Sequence, residues 1–187
     1  MKKFHIEAIQ LWENFSFAGN EFSLQHLNVH EVSFRGMVAS YQFVVTYGLH
    51  CFTKDESPHV IAYQYRDGRE ARSVCLERYE ASKSLPAIIA GLMDRLLFQT
   101  AGEKYFTLEL LNSATGTMEP FKVCLAVFKE NRLLRIHVTS AFFARWGAGS
   151  PGEAIPHKSY SIFKVAKDVQ EKPRAKFIPK EANNRRK

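Results

Sequence analysis

FKVCLAVFKENRLLRIHVTSAFF, residues Phe121 to Phe143, decides how the rest of the chain is read. Phe121, Val123, Leu125 and Val127 alternate along its first half, and Leu134, Ile136, Val138 and Ser140 along its second. Lys129, Glu130, Asn131 and Arg132 interrupt the pattern, as the turn of a β-hairpin does. Pairing Phe128 with Leu133 sets Val127 against Leu134, Leu125 against Ile136 and Val123 against Val138. Side chains in a strand alternate with period two, so these residues share one face. Lys122, Arg135, His137 and Thr139 fall on the other as a polar stripe.

Outward from the hairpin, other segments supply partners for it. Ser40–Thr53 alternates Tyr41, Phe43, Val45, Tyr47 and Leu49 with Gln42, Val44, Thr46, Gly48 and His50, with Gly48 marking a bulge or a close backbone approach. Val60–Tyr65, the Asp67-Gly68 turn and Glu70–Leu76 continue a meander of about four strands from Ser33 to Leu76. Lys104–Leu111 reads as a strand, and Ser159–Val165 as a last edge strand. Glu77–Thr100 reads as helical: Ser84 as cap, Pro86 in the first turn, and Ile88, Ile89, Leu92, Met93, Leu96 and Leu97 as an apolar face. Near the N-terminus, Ile6, Ile9, Trp12 and Phe15 recur at helical spacing. The expected architecture is α+β: a largely antiparallel sheet, one main helix (Leu85–Thr100) packed on it, a single domain over residues 1–166, and a basic, loosely ordered tail over 167–187.

With 187 residues, 45% of them hydrophobic, the chain can bury one sizeable core. Three scattered cysteines (Cys51, Cys75, Cys124) without a C-x-x-C pair argue against a disulfide framework or structural zinc and fit a reducing cytoplasm. No signal-peptide core follows Lys2-Lys3, and no run of about 18 apolar residues predicts a membrane span. The net charge is +7, and Lys164–Lys187 carries +6 of it, nine Lys/Arg against three Asp/Glu. Lys172, Arg174, Lys176, Arg185 and Arg186, with Lys122 from the stripe, are the candidate contacts to an RNA or DNA backbone; a solubilising terminus is the alternative reading. His26 and His30 stand four apart, a metal-binding spacing in a helix, but with no third ligand nearby. No metal or cofactor is expected.

No P-loop, G-x-G-x-x-G, H-E-x-x-H or G-x-S-x-G motif is present. The residues left for chemistry are His50, Arg78, Arg135, His137 and Thr139, with Glu77, Glu109 and Lys122 as helpers. Two histidines, or one and a carboxylate, can move the two protons of metal-independent RNA cleavage, and a cation can stabilise the phosphate charge. The order of a helix, a strand and a strand–turn–strand ending in Thr139-Ser140-Ala141-Phe142 resembles the closing half of barnase/RelE-type endoribonucleases over Leu85–Phe143. His50-Cys51-Phe52-Thr53 and Arg78-Tyr79-x-x-Ser82-x-x-Leu85-Pro86 are similar to an uncharacterised bacterial protein group of mobile elements. The residue types suggest a metal-independent, cytoplasmic endoribonuclease with those five residues catalytic; the barnase/RelE likeness adds a toxin-like role, and the second likeness implies a bacterial mobile element without an assigned activity. Two other classes stay open: a non-catalytic nucleic-acid-binding module, and a protein-interaction or regulatory domain, with a protein partner or inhibitor.

Overall fold

A computed structural model describes residues 11–68, 70–99, 104–130, 132–145 and 158–171. Its centre is the quoted hairpin: β9 (Thr117–Glu130) and β10 (Leu133–Phe143) pair antiparallel, with Leu133 opposite Glu130. The connection takes two residues rather than four, and Arg132 in it has a φ of 70°. The register is therefore displaced by two from the expected one, with Val127 opposite Ile136 and Leu125 opposite Val138. A slip of two preserves the side-chain face, so the apolar set stays together. Val123, Leu125, Ile136 and Val138 are buried.

Around this hairpin a seven-stranded sheet runs in the order β11-β7-β8-β9-β10-β4-β3. Its other strands are β3 (His30–Arg35), β4 (Ser40–His50), β7 (Leu97–Gln99), β8 (Lys104–Asn112) and β11 (Ser159–Tyr160). All neighbours are antiparallel except β10 and β4, which run parallel. Between Val138 and Ser140 the ladder shifts: Thr139 is an extra residue against β9, and Gly48-Leu49 spans the same gap on β4. The glycine thus sits at a bulge, as the sequence predicts.

The helical region differs from expectation. α1 (Leu76–Ser82) forms, but α2 stops at Leu85–Ala90. Gly91 interrupts it, Leu92–Asp94 make one 3₁₀ turn, and Leu97–Gln99 join the sheet as β7. Glycine weakens helix continuation, and strand pairing to β8 claims the residues beyond it. Met93 and Leu96, expected on the buried face, are exposed. At the other end the expected edge strand Ser159–Val165 shrinks to two residues, and α3 (Ile162–Glu171) is the longest described helix. It runs through the boundary placed at residue 166, burying Ile162, Val165 and Ala166. So the fold is a mixed α/β one, with a large, mostly antiparallel sheet and small helices in place of one main helix.

Two small sheets complete it. β1 (Phe15–Phe17) and β2 (Asn20–Phe22) form a hairpin where helical spacing had been read. Ala18 and Gly19 between them both have positive φ, the conformation of a tight turn matched to strand twist. Residues 6–10 of that pattern lie outside the described residues. β5 (Val60–Arg66) and β6 (Ala71–Cys75) pair antiparallel. Both small sheets contribute to an aromatic cluster: Phe52 meets Trp12 and Tyr65 edge-on at 5.2 Å, and Phe15 stacks on Phe22 and Tyr63 at 4.9 and 4.7 Å.

Candidate functional site

The middle of the polar stripe is not solvated, while Lys122 and Thr139 at its ends are half-buried. Arg135 and His137 are 8% and 4% exposed, and beside them Thr46, Ala126 and Phe128 are buried too. His137 Nδ1 lies 3.0 Å from Thr46 Oγ1, the side chain directly across the β10–β4 ladder. Arg135 Nε is 2.7 Å from Glu130 Oε2, an ion pair with both side chains at most 10% exposed. Arg135 Nη1 has no hydrogen-bond partner among the described residues. Alternation had placed these residues on one face correctly. Whether that face meets water depends on what packs over it, which alternation does not carry.

His50 and Arg78 belong elsewhere. His50 pairs with Ser140 beyond the bulge, four residues past the partner of His137. At about 3.3 Å per residue the two histidines stand roughly 10–13 Å apart along the sheet. His50 Nε2 reaches Glu70 at 3.2 Å. The Arg78 Nη1 atom donates to the carbonyls of His50 and Thr53, both at 2.9 Å, and its guanidinium stands 5.3 Å from the Phe142 ring. Arg78 thus ties down the turn that ends β4, and burial lowers its pKa from the ordinary value. Thr139 is the bulge residue. Lys122 lies 4.3 Å over the Tyr105 ring. Lys172, Arg174, Lys176, Arg185 and Arg186 lie outside the described residues. The five candidate catalytic residues therefore do not converge on one reacting group, which must be within hydrogen-bond reach of its acid and base.

A different polar cluster does converge. Glu77, in the first turn of α1, accepts hydrogen bonds on Oε1 from Arg145 Nη2 at 2.5 Å and Asn112 Nδ2 at 3.0 Å, with His59 Nε2 at 3.8 Å. Glu119 takes Asn112 at 2.9 Å, Thr115 at 2.6 Å and Arg145 at 3.3 Å. Burial pushes the Glu77 pKa up, but the bonds from Arg145 and Asn112 and the charge of Arg145 outweigh it and hold the carboxyl below 4.5. Sequence reading had marked Glu77 only as a helper and missed His59, Asn112, Glu119 and Arg145, which stand far apart in the chain. Two carboxylates against one guanidinium leave this cluster negative before His59 is counted, a poor field for a phosphodiester. It staples the start of α1 to the β8–β9 turn and the end of β10.

His26, 2.8 Å from Ser82 Oγ, is also shifted: burial, then Lys83, lower its pKa from 6.5. Its neighbour in the spacing argument, His30, lies against Tyr47 and Asn28 instead. Among the described residues no group of three His, Cys, Asp or Glu could hold a metal ion. Both folded-state pKa values lie below the unfolded ones, so the unfolded chain binds more protons in each window and stability rises with pH there. Thermal unfolding followed against pH is expected to lose stability first below pH 6.5, from His26, and again below pH 4.5, from Glu77. His26→Gln should flatten the upper step alone; an unchanged upper step rules His26 out as its source.

A further candidate among the described residues is a groove of about 630 Å³ between the β3–β4 connection and α3. Its walls are Met37, Val38, Ala39 and Tyr41 on one side, and Phe163 with the polar Lys164, Lys167, Gln170 and Glu171 of α3 on the other. Gly36 N–H donates to the Ala39 carbonyl at 2.9 Å, closing the turn. A Cβ on Gly36 would lie 3.0 Å from the Phe163 ring, so glycine allows the turn to approach the helix this closely. Met37 and Val38 at the tip are 105% and 98% exposed. Turn positions favour Gly, Asn, Asp and Pro for conformational reasons, and this apolar pair has no such reason to be there. The signal was legible as GMVA between two strands, and the sequence reading passed over it.

The described residues thus form a mixed α/β fold with a mostly apolar groove and a closed polar staple. The chain belongs to the YjaZ family, whose sequence model matches residues 14–170. It is 32% identical over 107 residues to Protein YjaZ of Escherichia coli (strain K12), a match covering 54% of this chain and 59% of that protein. The chain thus spans less than two thirds of the length of that curated relative. No solved structure matches. The family match overturns the likeness to barnase/RelE-type endoribonucleases and to the mobile-element group: a helix, a strand and a hairpin ending in small residues and an aromatic are too general an order to identify a family. No helix among the described residues is long and apolar enough to cross a membrane.

Proposed function

We propose that this chain is a binding protein that acts through recognition rather than bond cleavage, and that it takes a segment of a partner protein into the groove between residues 36–41 and α3. The observation that carries this reading is the fully exposed Met37-Val38 pair beside an apolar groove walled by Tyr41 and Phe163. Contiguous exposed apolar surface marks interaction sites, and a concavity of a few hundred Å³ with mostly apolar lining suits a ligand segment. RNA cleavage, the other reading, has less support. Its histidines stand apart, its arginines are engaged with Glu130 and with backbone carbonyls, and the polar cluster around Glu77 sets two carboxylates against one guanidinium.

The test is selection from a displayed peptide library on the purified full chain. Enriched peptides are expected to carry apolar residues at i, i+3, i+4 and i+7, and to lose at least about tenfold in affinity to Met37→Asp/Val38→Asp. Both positions are solvent-facing, so circular dichroism should show that this variant melts as the wild type does. No enrichment, or binding that ignores the double substitution, overturns the reading.

A further inference from the structure

We infer that β3, the outer strand of the large sheet, pairs antiparallel with β3 of a second copy of this chain, with Ser33 on the twofold axis. The sheet ends differently on its two sides. β11 and β7 at one end hold two and three residues, whereas β3 at the other runs for six, with no proline and no register shift against β4. Short strands, prolines and bulges keep edges from pairing, and β3 has none of these. The turn fixes which backbone groups face outward. Gly36 N–H donates to the Ala39 carbonyl, which makes Arg35 and Ser40 a pair without mutual hydrogen bonds. Antiparallel pairs alternate between the two kinds, so His30, Val32 and Phe34 bond to β4, while Glu31, Ser33 and Arg35 aim their N–H and C=O groups away from it. All three residues are exposed, and no described group bonds to their backbone on that side.

The side chains then select one register. Centred on Ser33, Glu31 of each copy lies opposite Arg35 of the other, so opposite charges face twice. Sliding the second strand to the next bonded register sets Glu31 or Arg35 against Ser33 and leaves the other charge without its counterpart. Sliding it once more sets Glu31 against Glu31, or Arg35 against Arg35, and like charges directly opposite are destabilising. In the centred register Val32 lies opposite Phe34 of the second copy, in pairs without hydrogen bonds, where side chains approach closest. Val32 is half-buried in a single copy, and this contact takes more of its apolar surface out of water. Gln42 Nε2 donates to Glu31 Oε2 at 2.6 Å, holding the carboxylate over the exposed face with Oε1 left to meet a guanidinium. A strand of unrelated sequence gains the backbone bonds alone, whereas a second copy gains the reciprocal charges as well. Glu31, Ser33 and Arg35 do not line the groove, so this contact stands apart from the recognition reading.

Sedimentation equilibrium of the full chain from about 1 to 500 µM tests this, because pairing over so short a strand belongs to the small, transient class of interface. Wild type is expected to show a monomer–dimer equilibrium with a Kd of roughly 10–100 µM. Glu31→Arg and Arg35→Glu each set like charges opposite one another twice, and each should weaken the dimer at least about tenfold. Mixed in equal amounts, these two variants should form a heterodimer within about threefold of the wild-type affinity, because opposite charges face again. Ser33→Pro removes the outward N–H at the axis and no bond to β4, so it should abolish the dimer while its circular dichroism melt follows the wild type. A wild type that stays monomeric throughout, or a dimer that ignores both charge reversals, overturns the inference. So does a mixture that fails to recover association, since that denies the register. Dimerisation lost in Met37→Asp/Val38→Asp but kept in the three edge variants places the contact at the groove tip and overturns the edge as its site.

Discussion

Arg135→Met is expected to destabilise the protein by about 3–5 kcal/mol, because it takes the guanidinium away from the buried Glu130 carboxylate. The two side chains are 10% and 6% exposed and meet at 2.7 Å, inside the interior rather than on a solvated strand face. Taking a carboxylate out of water costs several kcal/mol, and the guanidinium beside it is what offsets that cost. The companion double substitution Glu130→Leu/Arg135→Met removes both charges at once and is expected to lie within about 1–2 kcal/mol of wild type, since apolar groups of similar volume often replace buried pairs without loss. Urea unfolding of the three proteins checks this, with the midpoint as the readout and an unchanged slope as the sign that the transition is comparable. Were Arg135→Met as stable as wild type, the pair would have to be water-exposed in solution. Arg135 would then be free to act on a ligand, as the stripe reading supposed.

Phe52→Ala should have an effect of similar size, about 3–5 kcal/mol, for a different reason. Phe52 is fully buried between Trp12 and Tyr65, with both rings edge-on at 5.2 Å. It follows the turn that ends β4 and so joins the large sheet to the layer made by β5 and β6. Truncation removes the transfer free energy of the ring and leaves a cavity whose walls come from different elements, which limits collapse. Phe52→Leu refills much of the space and should cost less than half as much. Denaturant unfolding of both variants separates the outcomes; a loss under about 1 kcal/mol for the alanine variant would place Phe52 outside the cooperative core.

Period-two alternation was enough to find β4, β8, β9 and β10 and to sort their side chains into two faces, because the pleat imposes that period wherever a strand forms. The bulge at Gly48 was legible for a similarly local reason. Other features depended on contacts between distant residues. The apolar run from Ile88 to Leu97 suits a helix face and a strand equally well, and pairing with β8 decided for a strand at its end. The parallel register of β4 with β10 joins residues about ninety positions apart, and no local pattern encodes that choice. Burial of the Arg135–His137 face and convergence of His59, Glu77, Asn112, Glu119 and Arg145 belong to the same class. Alternation determines which residues share a face; only tertiary packing decides whether that face meets water, another layer or a partner. The groove lies between these cases. Its apolar tip was written in the sequence as Met37-Val38, while its far wall exists only because α3 folds back against Gly36.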